Sequence, residues 1–417
     1  MNHIPDFTTD VLIAGAGPGG AGTSVFLAKE KIHHIIIDKA IFPRDKICGD
    51  ALSGKSVDML KRMRVNWQDH FLANDQSVIS SGIQFIAPDN TILDIPFLKK
   101  ASENTSPPGF VSKRLDFDNS LIELIDPQYA RFFMGTLLED IEEREDGLLL
   151  TIQQEGKRKT IFTKMIVGAE GRGSIVAKKL AEHSMDPAHF SAGIRAYYNN
   201  VSGMHNDNFI ELHFLKELQP GYLWIFPLPN GGANVGVGML SKSISAKKAN
   251  LKQLMLEAIS KHPNIKHRFA GAVMQGEIEG WGLPLGSKKR KLSGNRFLLT
   301  GDAGSLIDPF TGEGIGNALV SGLVASRMIK SAIDANDFTE DYLQQYDKEL
   351  YNKLWAELKL SHYLQILSSK PRLFNFVIGK ASRSKELKET ISCMFENVDI
   401  RKKFTNPFFY LRILFNR

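Results

Sequence analysis

The stretch Val11-Leu12-Ile13-Ala14-Gly15-Ala16-Gly17-Pro18-Gly19-Gly20 decides the fold of this chain. Its first four residues form a short apolar run typical of a buried strand, and small and apolar residues follow with helical spacing from Ala21 to Lys29. The glycines at positions 15, 17 and 20 allow a tight turn and let a pyrophosphate approach the free amides of a helix N-terminus. The sequence therefore predicts a strand, a phosphate-binding turn and a helix.

A second apolar run, His34 to Ile37, completes a β-α-β unit that ends at Asp38 and Lys39. Asp38 lies eighteen residues after Gly20, where an acid would bind the hydroxyls of a ribose. The alternative is a turn that holds no ligand. The strand before the turn, the helix after it and the acid beyond them favour nucleotide binding.

Composition places the chain among ordinary globular proteins. Of its 417 residues, 43% are hydrophobic and 24% are charged. A chain of this length is longer than a single hydrophobic core usually accommodates, which predicts two interleaved domains and a helical tail. No apolar run is long enough to cross a bilayer and the first ten residues do not resemble a secretory signal, so we expect a soluble, cytoplasmic protein.

The cysteine and histidine patterns exclude several classes of site. Cys48 and Cys393 are the only two cysteines, too few for a disulfide framework or a structural zinc site, and they indicate a reducing compartment. The histidines form no HExxH pattern, so no metal site is expected. The chain contains no GxSxG nucleophile elbow, which argues against hydrolase chemistry.

The positive charge belongs to the C-terminal tail. The net charge is +6, and residues 370–417 carry eleven Lys and Arg against four Asp and Glu. The apolar block Pro407 to Phe415 within this tail does not suit nucleic acid, and it favours peripheral contact with an anionic membrane surface. The alternative is a helix packed on the core. We expect a monomer or a weak dimer.

A second glycine-acid motif lies near residue 300. Leu298 to Ala303, with Gly301 and Asp302, resembles the second flavin fingerprint of the glutathione-reductase-type fold, in which the aspartate binds the ribityl chain. Pro309 to Gly316 then places backbone amides at a helix N-terminus, where they can stabilise negative charge on a reduced flavin ring; Pro309, Gly312, Gly314 and Ile315 are the candidate residues. The two distant motifs together predict that the chain binds FAD.

The predicted fold is therefore α/β, a Rossmann-like FAD-binding domain interleaved with a mixed-sheet substrate domain. Two segments indicate the second domain. One has strand-like alternation between Ser77 and Phe97, and the other, from Asp186 to Leu285, is rich in Gly, Pro and aromatic residues. The predicted boundaries are 1–76, 109–182 and 291–332 for the FAD-binding domain, 77–108 and 183–290 for the substrate domain, and 333–417 for a C-terminal helical region.

Four further motifs are Pro43 to Gly49 (PRDKICG); Tyr222 to Pro227 followed by Val235 to Gly238 (YLWIFP and VGVG); Gly312 to Gly322; and Val111 to Asp118 (VSKRLDFD). Together they resemble the geranylgeranyl reductase family, within a larger group of flavoproteins that contains aromatic hydroxylases and flavin halogenases. The first is similar to a PxxKxCG element beside the flavin ring, and the second to an element lining a substrate cavity. The resemblance covers residues 8 to 330.

The resemblance implies roles for individual residues. Arg44, Lys46 and Cys48 would lie near the flavin ring as candidates for tuning it, Gly49 would contact the cofactor, and Arg114 would approach the flavin nucleotide. Tyr222, Trp224, Phe226, Pro227 and Gly236 would shape the substrate cavity, although alternate aromatics on one strand also suit a packed sheet. A buried Cys48 that only fills space is the alternative for that residue.

One position departs from the family pattern. Glu170-Gly171 stands where the group commonly has Asp-Gly, and the longer side chain changes what Glu170 can reach. No second GxGxxG is present to house a nicotinamide nucleotide separately. We therefore expect either a transient NAD(P)H site or another electron carrier as the reductant.

These observations predict an FAD-dependent oxidoreductase that reduces carbon-carbon double bonds in a long apolar, isoprenoid-type substrate. Two alternatives stay open: a monooxygenase or halogenase on the same fold, and a flavin-binding or lipid-carrying protein without catalysis.

Overall fold

A computed structural model describes residues 4–63, 66–72, 76–97, 109–385 and 388. The polar, proline-containing stretch Ser102 to Gly109 (SENTSPPG) predicts a loop, and all of it except Gly109 lies outside these residues. Cys393 and the tail block Pro407 to Phe415 also lie outside them.

Strands make up two large sheets and one small sheet. In chain order they are β1 (Phe7–Ala14), β2 (His34–Ile37), β3 (Ala51–Leu52), β4 (Ser77–Ile79), β5 (Gly82–Ile86), β6 (Ile92–Pro96), β7 (Phe110–Ser112), β8 (Ala130–Phe133), β9 (Thr136–Glu143), β10 (Leu148–Gln154), β11 (Lys157–Gly168), β12 (Phe190–Asn199), β13 (Ile210–His213), β14 (Gly221–Leu228), β15 (Gly232–Leu240), β16 (Val273–Pro284), β17 (Ser293–Gly294) and β18 (Phe297–Leu299).

Helices lie between and after the strands. They are α1 (Pro18–Lys29), α2 (Gly54–Arg62), α3 (Trp67–Leu72), α4 (Arg114–Glu123), α5 (Ile175–Lys179), α6 (Ser241–Lys247), α7 (Leu251–Lys261), α8 (Ile315–Ala335), α9 (Glu340–Ser368) and α10 (Pro371–Ala381). Among the helices of the described ranges, none has the length and apolar character needed to cross a membrane.

The first large sheet is built on parallel strands in the order β18-β11-β1-β2-β8, and β17 pairs with β18 at the edge. Alternate residues of β1 pack into two different cores, Val11 and Ile13 on one face and Leu12 and Ala14 on the other. Both faces are thus covered, which explains the uninterrupted apolar run in the sequence. The antiparallel strands β9 and β10 extend from β11.

The second large sheet has the order β16-β12-β15-β14-β13-β5-β6, and it is antiparallel except for the β13–β5 pair. It draws β5 and β6 from the early insertion and the other strands from the region after residue 186. Trp224 and Phe226 of β14 pack on one face, and Leu223 and Ile225 on the other. The parallel core and the mixed sheet confirm the predicted fold class.

Two local predictions differ from the structure. The amphipathic pattern from Ala246 to Ser260 predicts one helix, but the chain forms α6 and α7 with Lys248 between them in a left-handed conformation (φ 50°). The short helix α5 (Ile175–Lys179) was not predicted. Both differences involve single-turn or capping geometry, which hydrophobic periodicity does not report.

Candidate cofactor and substrate site

The carboxyl ends of β1, β2, β11 and β18 meet at one edge of the parallel sheet, since all four strands run in the same direction. The chain leaves β1 toward β2 on one side, while β11 lies on the other side, so this edge is a topological switch point where α/β proteins bind nucleotides. The two glycine-acid motifs, more than 280 residues apart in sequence, come together here. A Cβ atom at Gly19 would lie 2.9 Å from the Thr300 hydroxyl oxygen and 3.6 Å from the Gly301 nitrogen.

The glycine turn is shaped by close backbone contacts. Gly15 has a φ of +96°, and a Cβ atom there would lie 2.3 Å from the Ala169 carbonyl oxygen. A Cβ atom at Gly20 would lie 1.8 Å from the Gly15 carbonyl oxygen. No side chain caps the first turn of α1, whose N-cap is Gly17. The first amides of the helix therefore have no partner within the helix and suit an anionic ligand.

Asp38 ties the end of β2 to this turn. One of its carboxylate oxygens accepts a hydrogen bond from the Ala16 amide at 2.7 Å, and the other accepts one from the Ala40 amide at 2.8 Å. The side chain lies in the wall of the cavity with Lys39 beside it. Asp38 thus occupies the position predicted for the ribose-binding acid.

Two arginines share one buried aspartate next to the turn. The Arg114 guanidinium donates two hydrogen bonds to Asp118, at 2.6 and 2.7 Å, and Arg44 donates a third at 2.6 Å. Burial alone would raise the pKa of Asp118, but the two arginines outweigh it and lower that pKa. A Cβ atom at Gly17 would lie 3.8 Å from an Arg44 nitrogen, so this cluster lies next to the glycine turn. Arg44, Arg114 and Asp118 together carry one positive charge, which faces the phosphate-binding end of the site. This geometry favours the cofactor-binding role predicted for Arg44 over ring tuning.

Lys46 and Asp302 form an ion pair at 3.2 Å that links the loop after β2 to the second glycine-acid motif. Thr300, which comes just before Gly301, has a buried hydroxyl without a hydrogen-bond partner among the described residues. All three side chains line the same cavity. An unpaired buried hydroxyl beside the predicted ribityl-binding aspartate indicates space for a polar ligand at this point.

Fewer backbone amides are free at the N-terminus of α8 than the sequence predicts. The Gly312 amide is bonded to the Asp308 carbonyl, the Glu313 amide to the Thr311 hydroxyl, and the Gly316 amide to the Glu313 carboxylate. Within the part of the chain that the structure describes, the amides of Gly314 and Ile315 have no hydrogen-bond acceptor. At the positive end of a 21-residue helix, these amides can stabilise a flavin ring that gains negative charge.

Glu170 turns its carboxylate into the protein. It accepts hydrogen bonds from the Ser174 hydroxyl at 2.6 Å and from the amides of Ile175 and Val176 at 3.0 and 3.3 Å. The longer side chain of Glu170 therefore caps the N-terminus of α5. Burial raises the pKa of Glu170. Gly171 and the backbone around Glu170 still line the cavity.

A single cavity of about 510 Å³ joins the glycine turns to the mixed sheet. At the far end its walls are apolar. The apolar wall consists of Ile83, Phe97, Phe110, Ile210, Leu212, Trp224, Phe226 and Leu283. Cys48, Gly49 and Tyr222 also line the cavity. A Cβ atom at Gly49 would lie 2.8 Å from the Phe226 ring of the apolar wall, and the Tyr222 hydroxyl donates a hydrogen bond to the Thr311 carbonyl. A polar end followed by an apolar end suits a nucleotide cofactor next to an apolar substrate.

Five predicted site residues lie behind the cavity wall. They are Gly15, Gly20, Pro227, Gly236 and Pro309. The glycines act through the space they leave: a Cβ atom at Gly236 would lie 2.2 Å from the Trp224 indole, so Gly236 allows Trp224 to lie flat on the sheet. Pro309 is held from behind, because its carbonyl accepts a hydrogen bond from Gln365 of α9 at 2.8 Å.

Sequence reasoning missed a buried polar network beside Cys48. The Asp50 carboxylate accepts hydrogen bonds from the Tyr197 hydroxyl and the Asn234 amide, both at 2.8 Å. Asn234 also accepts a hydrogen bond from the Trp224 indole at 2.9 Å and donates one to the Cys48 carbonyl at 2.7 Å. The only signal in the sequence is that Asp50 and Asn234 are polar residues within apolar or glycine-rich segments. The sequence does not show that these two side chains are in contact.

These residues fit FAD. The glycine turn and the Arg44–Arg114 pair match a pyrophosphate, Asp38 matches a ribose, and Thr300 with Asp302 match a ribityl chain. Among the residues described, no cluster of His, Cys, Asp and Glu could hold a metal ion. The fold and this site define an FAD-dependent oxidoreductase. The chain belongs to the FAD binding domain family, whose model matches residues 8–349.

Comparison with curated relatives confirms the predicted resemblance to geranylgeranyl reductases. The chain is 27% identical over 344 residues to a digeranylgeranylglycerophospholipid reductase of Thermoplasma volcanium, a match that covers 82% of this chain and 83% of the relative. It is 26% identical over 386 residues to a menaquinone reductase of Mycolicibacterium smegmatis, covering 91% of this chain and 89% of the relative.

Solved structures share the fold. A geranylgeranyl bacteriochlorophyll reductase-like protein from Thermoplasma acidophilum superposes with a TM-score of 0.78 at 22% identity, over 96% of this chain and 99% of that chain. A flavin-dependent brominase superposes with a TM-score of 0.79 at 18% identity, over 94% of each chain. Reductases and halogenases therefore share this architecture, and the fold alone does not separate their chemistries.

Proposed function

We propose that this protein reduces carbon-carbon double bonds in a long apolar, isoprenoid-type lipid. The observation that carries the proposal is the continuous cavity, whose polar end matches FAD and whose other end is walled by aromatic and aliphatic side chains. The relatives that cover most of the chain are named for reduction of digeranylgeranylglycerophospholipid and menaquinone, both of which carry prenyl chains.

The chain's own residues supply binding, orientation and a dry environment. When bound, FAD supplies the hydride for the reduction. The amides of Gly314 and Ile315 hold negative charge at the α8 N-terminus, while Trp224 and Phe226 exclude water from the apolar end. The reductant is proposed to be NAD(P)H bound transiently or another electron carrier, because no second nucleotide-binding turn occurs in the sequence.

The test is an anaerobic reaction of the FAD-loaded protein, reduced with dithionite, with a geranylgeranyl lipid and separately with a menaquinone. Reoxidation of the flavin together with a product heavier by two hydrogens supports the proposal. Failure of every prenyl substrate to reoxidise the flavin overturns it. Substrate-stimulated oxygen uptake with NADPH would instead support the monooxygenase or halogenase alternative.

Narrowing the apolar end should weaken substrate binding without affecting FAD. Gly193 lines the cavity, and a Cβ atom there would lie 3.6 Å from the Trp224 ring, so larger side chains would project into the space beside that ring. We expect Gly193→Leu to raise KM for a C20 prenyl substrate about tenfold or more, since a displaced apolar contact costs about 1–3 kcal/mol. The visible spectrum of bound FAD should stay unchanged.

Gly271→Leu is the matched control, because a Cβ atom at Gly271 meets nothing within 4 Å and the residue lies in the turn before β16, outside the cavity lining. An unchanged KM in Gly193→Leu would show that the substrate does not lie against Trp224.

We also propose peripheral contact with an anionic membrane through the hairpin of α9 and α10. Tyr363, Ile366, Leu373 and Phe376 are 56%, 48%, 46% and 49% exposed and lie within fourteen residues around its turn. Residues 358–385 contain six Lys and Arg and no Asp or Glu. Apolar side chains among basic ones suit the headgroup region of anionic lipids.

The same hairpin lies against the substrate side of the molecule. Phe374 and Ile378 of α10 are buried in the core cluster that contains Trp224 and Phe226. A membrane at the hairpin would therefore lie near the apolar end of the cavity, where a lipid substrate has to enter. The oligomeric state, monomer or weak dimer, stays a prediction.

Replacing Leu373 and Phe376 by serine should weaken binding to phosphatidylglycerol vesicles by an order of magnitude or more, because each buried apolar side chain contributes about 1.5–3 kcal/mol. Vesicle co-sedimentation measures this. Val273 and Met274, 55% and 42% exposed on β16, replaced together by serine, form the control and should leave binding unchanged. Equal binding to anionic and neutral vesicles, or no effect of the hairpin variant, would contradict the proposed contact.

A further inference from the structure

Asp50 lies in the wall of the cavity, between Gly49 and β3. Its backbone adopts φ +68°, a left-handed conformation that glycine takes without cost and aspartate does not. The side chain is fully buried. Burying an acid at a backbone position that aspartate adopts at a cost makes this carboxyl group a candidate functional group.

The two carboxyl oxygens of Asp50 have different environments. One accepts hydrogen bonds from Tyr197 of β12 and Asn234 of β15, each at 2.8 Å. The other oxygen, Oδ1, is buried and has no hydrogen-bond partner among the described residues. A proton on Oδ1 would therefore have no acceptor within the described protein, and Asp50 is one of the residues that line the cavity.

Charged groups surround the Asp50 network. Arg195 of β12 stacks on the Tyr197 ring at 4.2 Å and pairs with Asp45 at 2.5 Å and Glu279 at 2.8 Å. The Lys113 ammonium group also lies over the Tyr197 ring, 5.1 Å from its centre. Burial raises the pKa of Asp50 to about 7, against the hydrogen bonds of Asn234 and Tyr197 and the charge of Arg195, which lower it; the charge of Asp45 raises it further.

We propose that Asp50 donates the proton in the reduction, while Tyr197 and Asn234 position its carboxyl group. The inference rests on the proposed function. A hydride from reduced FAD adds to one carbon of the double bond, and the Oδ1 proton of Asp50 adds to the other. The flavin is left oxidised, Asp50 is left as a carboxylate, and water returns its proton after the product leaves. NAD(P)H or another electron carrier then restores the reduced flavin.

The pH dependence follows from the direction of the pKa shift. Asp50 carries its proton below pH 7 and loses it above, so kcat should fall about tenfold per pH unit on the alkaline side of pH 7. Asp50→Asn should lower kcat about 100-fold or more and remove this alkaline decline, because general acids typically contribute that much. Binding of FAD and its reduction by dithionite should remain.

Tyr197→Phe tests the positioning role while keeping the acid. Removing a hydrogen bond to the carboxylate disfavours the ionised form, so the alkaline decline should move to higher pH. Asp94→Asn is the control, since Asp94 of β6 accepts a hydrogen bond from Gln84 and does not line the cavity. It should leave the profile unchanged.

Infrared spectroscopy of the resting protein gives a readout that does not depend on turnover. With ¹³C-labelled aspartate, a protonated carboxyl band should disappear near pH 7 in the wild type and be missing in Asp50→Asn. If the wild type reduces prenyl lipids but Asp50→Asn keeps its kcat and alkaline decline, the Asp50 assignment fails and the proposed function stands. If no prenyl lipid is reduced, the proposed function fails, and the infrared band still reports the titration of Asp50. If the Asp50→Asn variant no longer binds FAD, the Tyr197→Phe variant decides. An alkaline decline of kcat at the same pH as in the wild type then overturns the assignment of Asp50 as proton donor.

Discussion

Gly20→Ala protein is expected to purify without its yellow colour. A Cβ atom at position 20 would lie 1.8 Å from the Gly15 carbonyl oxygen and 2.9 Å from its carbonyl carbon, so the turn and the start of α1 must separate. Such a backbone shift costs about 3 kcal/mol, which lowers the affinity for FAD about 100-fold. Absorbance near 450 nm and a titration with FAD measure the loss.

The control for this change is Gly173→Ala. Gly173 lies in the short turn after β11, close to the same edge of the sheet, and a Cβ atom there meets nothing within 4 Å. This variant should bind FAD as the wild type does. Circular dichroism separates loss of FAD from loss of fold, and a Gly20→Ala protein that is folded and fully loaded with FAD would contradict the assigned turn.

Asp118→Ala should lower the free energy of unfolding by about 3–5 kcal/mol, because it leaves the buried Arg114 guanidinium without its partner. Arg114 and Asp118 are 2% and 0% exposed, and Asp118 also binds Arg44. The urea midpoint measures the effect. The pKa of Asp118 is lowered in the folded protein, so its contribution is present at neutral pH and is lost as the pH falls through that lowered pKa.

Asp58→Ala is the matched control, because Arg62 and Asp58 form a helical pair with the same four-residue separation but are 50% and 33% exposed. An exposed pair of this kind contributes about 0.3–0.5 kcal/mol. Equal urea midpoints for the two variants would show that the Arg114–Asp118–Arg44 cluster does not stabilise the cofactor end of the fold.

Local sequence patterns were enough to predict the parallel β-α-β unit and the two glycine-acid motifs. Gly15 and Gly20 are informative because a side chain at either position would lie within 2.5 Å of a backbone carbonyl oxygen, so these turns require glycine. Likewise, the apolar run of β1 predicts a strand covered on both faces. The same patterns did not predict the break at Lys248, since a left-handed capping residue leaves no mark on hydrophobic periodicity.

The sequence by itself thus determined the class of fold, the FAD-binding turns and the resemblance to geranylgeranyl reductases. Only the tertiary structure decided what the polar side chains do: Arg44 joins Arg114 on Asp118, Glu170 caps a helix, and Asp50 meets Asn234 from 184 residues away. The physical reason is range. Backbone conformation follows from neighbouring residues, whereas the hydrogen-bond partner, burial and pKa of a side chain depend on which distant strands the fold brings beside it.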